Sequence, residues 1–217
     1  PLTSVILTNA NGSKDFYLAK GGELRLKVNK VNLTEDAIST ISYEYDNRII
    51  SITPEDDELV VSAGILTPRN TQVTITPKFI TYINGQRIEA KSNSITITIV
   101  DFVVNEIYVE DSEDGVLNNN LGNSTLLKAK INAEIADVTK LTSDQEKLEY
   151  SNILLKIATL EKLISKDNLT WNLITQNNSG TLIYNNLKEN GIYTNFKVGI
   201  NEDGYYYVVG KVISNNN

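Results

Sequence analysis

Apolar and polar residues alternate with a period of two along most of this chain. Leu24, Leu26 and Val28 alternate with Arg25, Lys27 and Asn29, and Ile41, Tyr43 and Tyr45 with Ser42 and Glu44. Val73 and Ile75 alternate with Thr74 and Thr76, and Ile95, Ile97 and Ile99 with Thr96 and Thr98. Such spacing sets the apolar side chains on one face of a half-buried strand. Turn signals separate the runs: Gly21-Gly22, Asp46-Asn47, Pro54 through Asp57, and Asn84-Gly85. The last predicts a tight hairpin, because a type I′ turn wants positive φ at both central residues. Short strands so spaced, without helices, predict an antiparallel β-sandwich over residues 1–101.

The pattern then restarts. Ile107 and Val109 predict a new first strand, followed by an acidic, Asn-rich loop from Glu110 to Asn123. Leu127, Ala129, Ile131, Ala133 and Ile135 alternate with polar neighbours, matching the Leu24 strand. Trp171 and Leu173 take the place of the Ile41–Tyr45 strand. A terminal hairpin is predicted from Thr194–Ile200 through Asn201–Gly204 to Tyr205–Ile213. The expectation is an all-β chain of two tandem β-sandwiches with the same strand order, 1–101 and 102–217, joined stiffly near Asp101-Phe102-Val103.

One segment changes period. Ser143-Asp144-Gln145-Glu146 has the form of a capping box, with Ser at the N-cap and Glu at the third helical position. Its acids suit the positive end of the helix dipole. Behind it, Tyr150, Ile153, Ile157, Leu160 and Ile164 recur at 3–4 spacing, widened by Leu154 and Leu163. This predicts an α-helix over about 144–166 inserted into the second sandwich. Its stripe is either a lid over one sheet face or sandwich end, or a docking surface for a protein partner.

Composition removes most familiar chemistry. The 217 residues contain no Cys and no His. Disulfides, thiolate metal sites, cysteine nucleophiles and imidazole bases are therefore excluded. The 27 Asp+Glu against 20 Lys+Arg give a net charge of −7 with no basic cluster, which argues against a nucleic-acid surface. No apolar run is long enough to cross a bilayer as a helix. No Gly-rich phosphate loop follows a strand, and no Ser sits in a nucleophile elbow. The opening Pro1-Leu2-Thr3-Ser4 carries no export pattern. It is read as the start of a chain trimmed of its initiator Met, with a piece cut from a longer protein as the alternative.

Glu55-Asp56-Asp57-Glu58, Glu110–Asp114 and Glu202-Asp203 offer oxygen ligands for calcium, but none has the spacing of an EF-hand loop. Solvated turns account for them, and no metal or cofactor is expected. Paired carboxylates on a glycosidic bond would need a cleft and one raised pKa. These acids fall in turns and beside lysines, so no enzyme is expected. In Tyr205-Tyr206-Tyr207, alternation sends Tyr206 opposite to Tyr205 and Tyr207, leaving at least one ring for glycan or protein contact. Cross-strand pairing is the structural account of the same run.

The run Leu18-Ala19-Lys20-Gly21-Gly22-Glu23-Leu24-Arg25-Leu26-Lys27-Val28 resembles the opening of bacterial Ig-like domains of group 2, the invasin/intimin-like type. Ser42 through Ile52 resembles that family's next strand and hairpin, and Ser94–Val100 its closing strand. Leu127–Asn132 and Leu169-Thr170-Trp171 resemble the two early strands again. The first half lacks the Trp, and the helix is foreign to the family pattern. The resemblance implies a non-catalytic spacer, adhesion or surface-decoration module. The expected role is an outer decoration or auxiliary capsid protein of a tailed bacteriophage, on the virion exterior, bound to the major capsid protein or another virion protein. The alternative is a pair of stalk or adhesion repeats from a bacterial cell-surface protein.

Overall fold

A computed structural model describes residues 3–109, 117–119, 125–126, 129–165, 169–175, 178–182, 186–187, 191–200 and 206–214. The chain is mostly β-sheet, with one long helix among the described residues. It divides into two compact units. The first takes the chain through Val103 together with Glu134–Ile153, and the second takes Val104–Ala133 and the chain after Ile153. The chain thus passes between the units three times, where the sequence suggests a single joint near Asp101.

The first unit contains β1 (Ser4–Asn9), β2 (Tyr17–Ala19), β3 (Glu23–Val31), β4 (Ser42–Glu44), β5 (Ile50–Glu55), β6 (Glu58–Ala63), β7 (Gln72–Ile83), β8 (Gln86–Lys91) and β9 (Ile95–Val100). One sheet runs β1-β3-β6-β5 and the other β2-β9-β7-β4, with β8 pairing β7 beyond the end of β9. All these pairs are antiparallel except β2 with β9. Both sheets feed one core: Leu7, Leu26 and Val61 from the first, Leu18, Ile75 and Ile97 from the second. Leu24 and Leu26 are buried while their neighbours Arg25 and Lys27 are exposed, as alternation requires.

Local chemistry explains the connections. Asn84 (φ 51°) and Gly85 (φ 78°) both take the left-handed conformation that closes the β7–β8 hairpin. Pro54 departs from its expected place in a turn, for β5 runs on through Glu55 and Asp56 makes the bend at φ 53°. A proline is tolerated there because β5 lies at the edge of its sheet. A one-turn helix, α1 (Glu35–Ser39), links β3 to β4. Thr34 caps it, its Oγ1 accepting from the Ala37 N–H.

The long helix, α2 (Asp144–Ser165), starts where the capping box places it. The Ser143 Oγ accepts from the Glu146 N–H at 3.1 Å, and the Glu146 carboxylate accepts from the Ser143 N–H at 3.1 Å. The Ser143 N–H holds the Glu146 carboxyl below its usual range. Ser143→Ala is expected to cost about 1 kcal/mol of helix stability. Amide exchange should speed up in residues 144–147 and stay unchanged in β3.

The second unit contains β10 (Val103–Val109), which begins at the junction, β11 (Leu117–Asn119), β12 (Thr125–Leu126), β13 (Ala129–Glu134), β14 (Leu169–Thr175), β15 (Asn178–Leu182), β16 (Asn186–Leu187), β17 (Gly191–Ile200) and β18 (Tyr206–Ser214). A five-stranded sheet runs β11-β17-β18-β14-β15, and β10 pairs β13. The β17–β18 hairpin is antiparallel, as the terminal pattern predicts. β11 lies inside the stretch expected to be loop. The shared strand order expected of the two halves does not extend to the Trp171 strand. β4 pairs antiparallel with β7, which two further strands of its unit follow, whereas β14 pairs in parallel with the last strand, β18. Alternation specifies which face of a strand is buried and leaves its neighbour open.

Candidate functional site

The best-defined polar constellation lies at one end of the first unit. β2 runs into the turn Lys20-Gly21-Gly22. The Lys20 N–H donates to the Val100 carbonyl at 2.9 Å, and the Gly21 N–H donates to the Ala63 carbonyl at 2.8 Å. Lys20 is only 6% exposed. A lysine is buried in its charged form at tolerable cost only when that charge is matched. Its Nζ lies 2.9 Å from Asp101 Oδ1, just past β9, and 2.7 Å from Glu149 Oε1 on α2. Asp101, 5% exposed, also has Arg69 Nε at 3.9 Å from its other oxygen. Burial works to lower the Lys20 pKa. Hydrogen bonds to Glu149 and Asp101, and their charges, outweigh that and raise it above the usual 10.5.

Beside this cluster, Glu134–Ile153 crosses the Gly21-Gly22 turn as a strap. Gly21 has φ +75°, and a Cβ there would fall 2.6 Å from the Ala136 Cβ and 3.0 Å from the Ile65 Cβ. The glycine is therefore a seat for Ala136, which is buried. The Asp137 N–H donates to the Gly21 carbonyl at 3.1 Å, and Lys140 Nζ lies 3.5 Å from Glu23. A short 3-10 turn, Val138–Lys140, capped by Asp137, carries the strap toward α2. Between turn and strap lies a crevice of about 560 Å3, bordered by Glu23, Glu134, Asp137 and Glu146 against Lys140. Among the described residues no three acids come together as cation ligands.

Several acids elsewhere are paired with cations. Around the β5–β6 turn, Arg25 reaches Glu55 at 3.5 Å and Glu58 at 3.6 Å, and Lys30 reaches Asp57 at 3.9 Å. Glu110–Asp114 and Glu202-Asp203 lie outside the described residues. A hydrogen bond from Lys91, together with its charge and that of Lys78, holds Glu44 below the usual carboxylate range. Arg48 does the same to Asp46, and the Thr139 hydroxyl and N–H to Asp137. A carboxyl shifted this way stays charged near neutrality, the opposite of what a general acid requires.

The residues expected to form an interface have mixed placements. In the α2 stripe Ile153 is buried, and Tyr150, Ile157 and Leu160 are half-buried. Leu154, expected to widen the stripe, is exposed, as are Leu148 and Leu155. Ile164 continues the helix, but its side chain lies outside those described. Tyr205 also lies outside the described residues. Tyr206 and Tyr207 open β18, their backbones in register with Ile200 and Gly199 of β17 and with Leu169 and Thr170 of β14.

Lys20, Asp101, Glu149 and Ala136 are absent from the sequence-level candidates. A lysine next to Gly-Gly reads as part of an exposed turn, and its helix partner lies 129 residues downstream. Their only local signal is the apolar pair Leu18-Ala19 leading straight into the lysine. Comparison with known proteins finds no matching family model and no match among the curated proteins.

Proposed function

We propose that this chain is a non-enzymatic structural protein built on Ig-like lobes, serving as an outer decoration or auxiliary capsid protein on a tailed-bacteriophage virion. The observation that carries the reading is the strand order of the first unit. Lettering β1 as A, β3 as B, β4 as C, β5 as D, β6 as E, β7 as F and β8–β9 as G gives A-B-E-D facing C-F-G. This order supports the Ig-like reading, because constant-type Ig domains set A-B-E-D on one sheet and C-F-G on the other. The short β2, parallel to β9, is a second half of strand A that has changed sheets. The same assignment for the second unit rests on its strand-rich sequence, since β14 lies beside β18 rather than β17.

A fold hosts many functions, so the role is argued from chemistry as well. The acidic chain without Cys or His, and the paired carboxylates of the first unit, favour work by shape and contact. The partner in this reading is the major capsid protein or another virion protein. Mass spectrometry of purified virions, with and without the gene for this chain, tests it. Stoichiometric copies on wild-type particles are the expected result. Finding the chain exported to a bacterial envelope overturns it in favour of a stalk or adhesion repeat.

A further inference from the structure

We propose that Glu134–Ile153 is a releasable strap, an element of the first unit with its own opening equilibrium, latched shut by the Lys20–Glu149 ion pair. The strap's attachment is sparse. Ala136 near its start and Ile153 at its end are buried, whereas most residues between them are exposed. Segments with few buried apolar contacts open locally at a lower free energy than the core that carries them. The strands beneath are different: Leu18, Leu26, Val61, Ile97 and Ile99 are essentially inaccessible, as is Ile65 in the turn after β6.

Between its buried ends, where Leu141 and Tyr150 are half-buried, three polar contacts tie the strap to the turn and to β3. The 2.7 Å bond from Lys20 to Glu149 is charge-assisted and shielded on the lysine side. The Asp137 N–H bond to Gly21 and the 3.5 Å Lys140–Glu23 pair are more modest, the latter lying at the surface. Asp101 also meets the lysine, at 2.9 Å, and has Arg69 at 3.9 Å from its other oxygen. Because Lys20 keeps Asp101 when Glu149 leaves, the sandwich end can release the strap without stranding an unmatched lysine. Opening uncovers the Gly21 seat and Ile65.

Glu149→Ala in the full chain removes the latch from the helix side, with Ala preserving helix propensity. Hydrogen exchange followed by mass spectrometry is expected to show roughly tenfold or faster exchange over 134–153. Exchange in β3, β6 and β9 should be unchanged. Glu149→Gln keeps the shape of the side chain and should give a smaller change of the same kind. Unchanged exchange over 134–153 in both variants would overturn the latch. Acceleration of strap and strands in step would overturn the separate opening.

Discussion

Gly21→Ala is expected to destabilise the first unit by roughly 2–5 kcal/mol. Two costs add at this position. The backbone sits at φ +75°, where an L side chain is strained, and the new methyl would lie 2.6 Å from the Ala136 Cβ and 3.0 Å from the Ile65 Cβ. Gly12 separates the two costs, because it has φ +84° and a methyl added there would meet nothing within 4 Å. Gly12→Ala should therefore lose only the conformational part, about 1–2 kcal/mol. Urea denaturation followed by far-UV circular dichroism gives both values. The single Trp, Trp171, is a poor reporter here because it lies in β14 of the second unit. Adding Ala136→Gly to Gly21→Ala should recover part of the loss, a coupling that a purely conformational penalty would not produce. Equal losses at Gly12 and Gly21 would mean that the seat contributes nothing.

Lys20→Met should cost about 3–5 kcal/mol, since it leaves Asp101 buried without its nearest cation and Glu149 without its bond. The methionine fills much of the same volume, so the loss reports charge more than packing. Combining it with Asp101→Asn and Glu149→Gln should reduce the deficit, because a cluster neutralised throughout carries no unmatched charge. The pH dependence has a definite sign. The folded Lys20 pKa is raised above the usual 10.5, so its stabilising contribution is complete below that value. It is lost as the pH rises through the raised folded value. The stability gap between wild type and Lys20→Met should hold from neutrality to about pH 10 and narrow in stronger alkali. A gap that stays constant in stronger alkali as well would show that the lysine acts through its hydrocarbon stem alone.

How much of the structure is legible in the chain follows from the range of each interaction. Faces of strands depend on neighbours two residues away, and the alternation at Leu24–Val28 and Ile95–Ile99 matches their burial. Asn84-Gly85 and the Ser143–Glu146 box are also local, and both act as their residue types require. α1 escapes the pattern because five residues are too few to display a helical period, although Thr34 followed by Glu35 and Asp36 is a cap signal. Neighbour choice is not local, and β14 beside β18 has no signature in either strand alone. The clamp is least legible of all. Its three members, Lys20, Asp101 and Glu149, come from the turn after β2, the residue past β9 and the second turn of α2, and only tertiary structure makes a buried lysine tolerable.

The three crossings of the chain have a consequence for biosynthesis. When Val103 leaves the ribosome, every strand of the first unit has been made, yet Lys20 still lacks Glu149 and the Gly21 seat still lacks Ala136. About 50 further residues must emerge before Ile153 is available, a wait of roughly 2.5–10 s at ~5–20 residues per second. During that interval the nascent lobe presents an uncapped end, and a chaperone or a neighbouring nascent chain has its best opportunity to engage it.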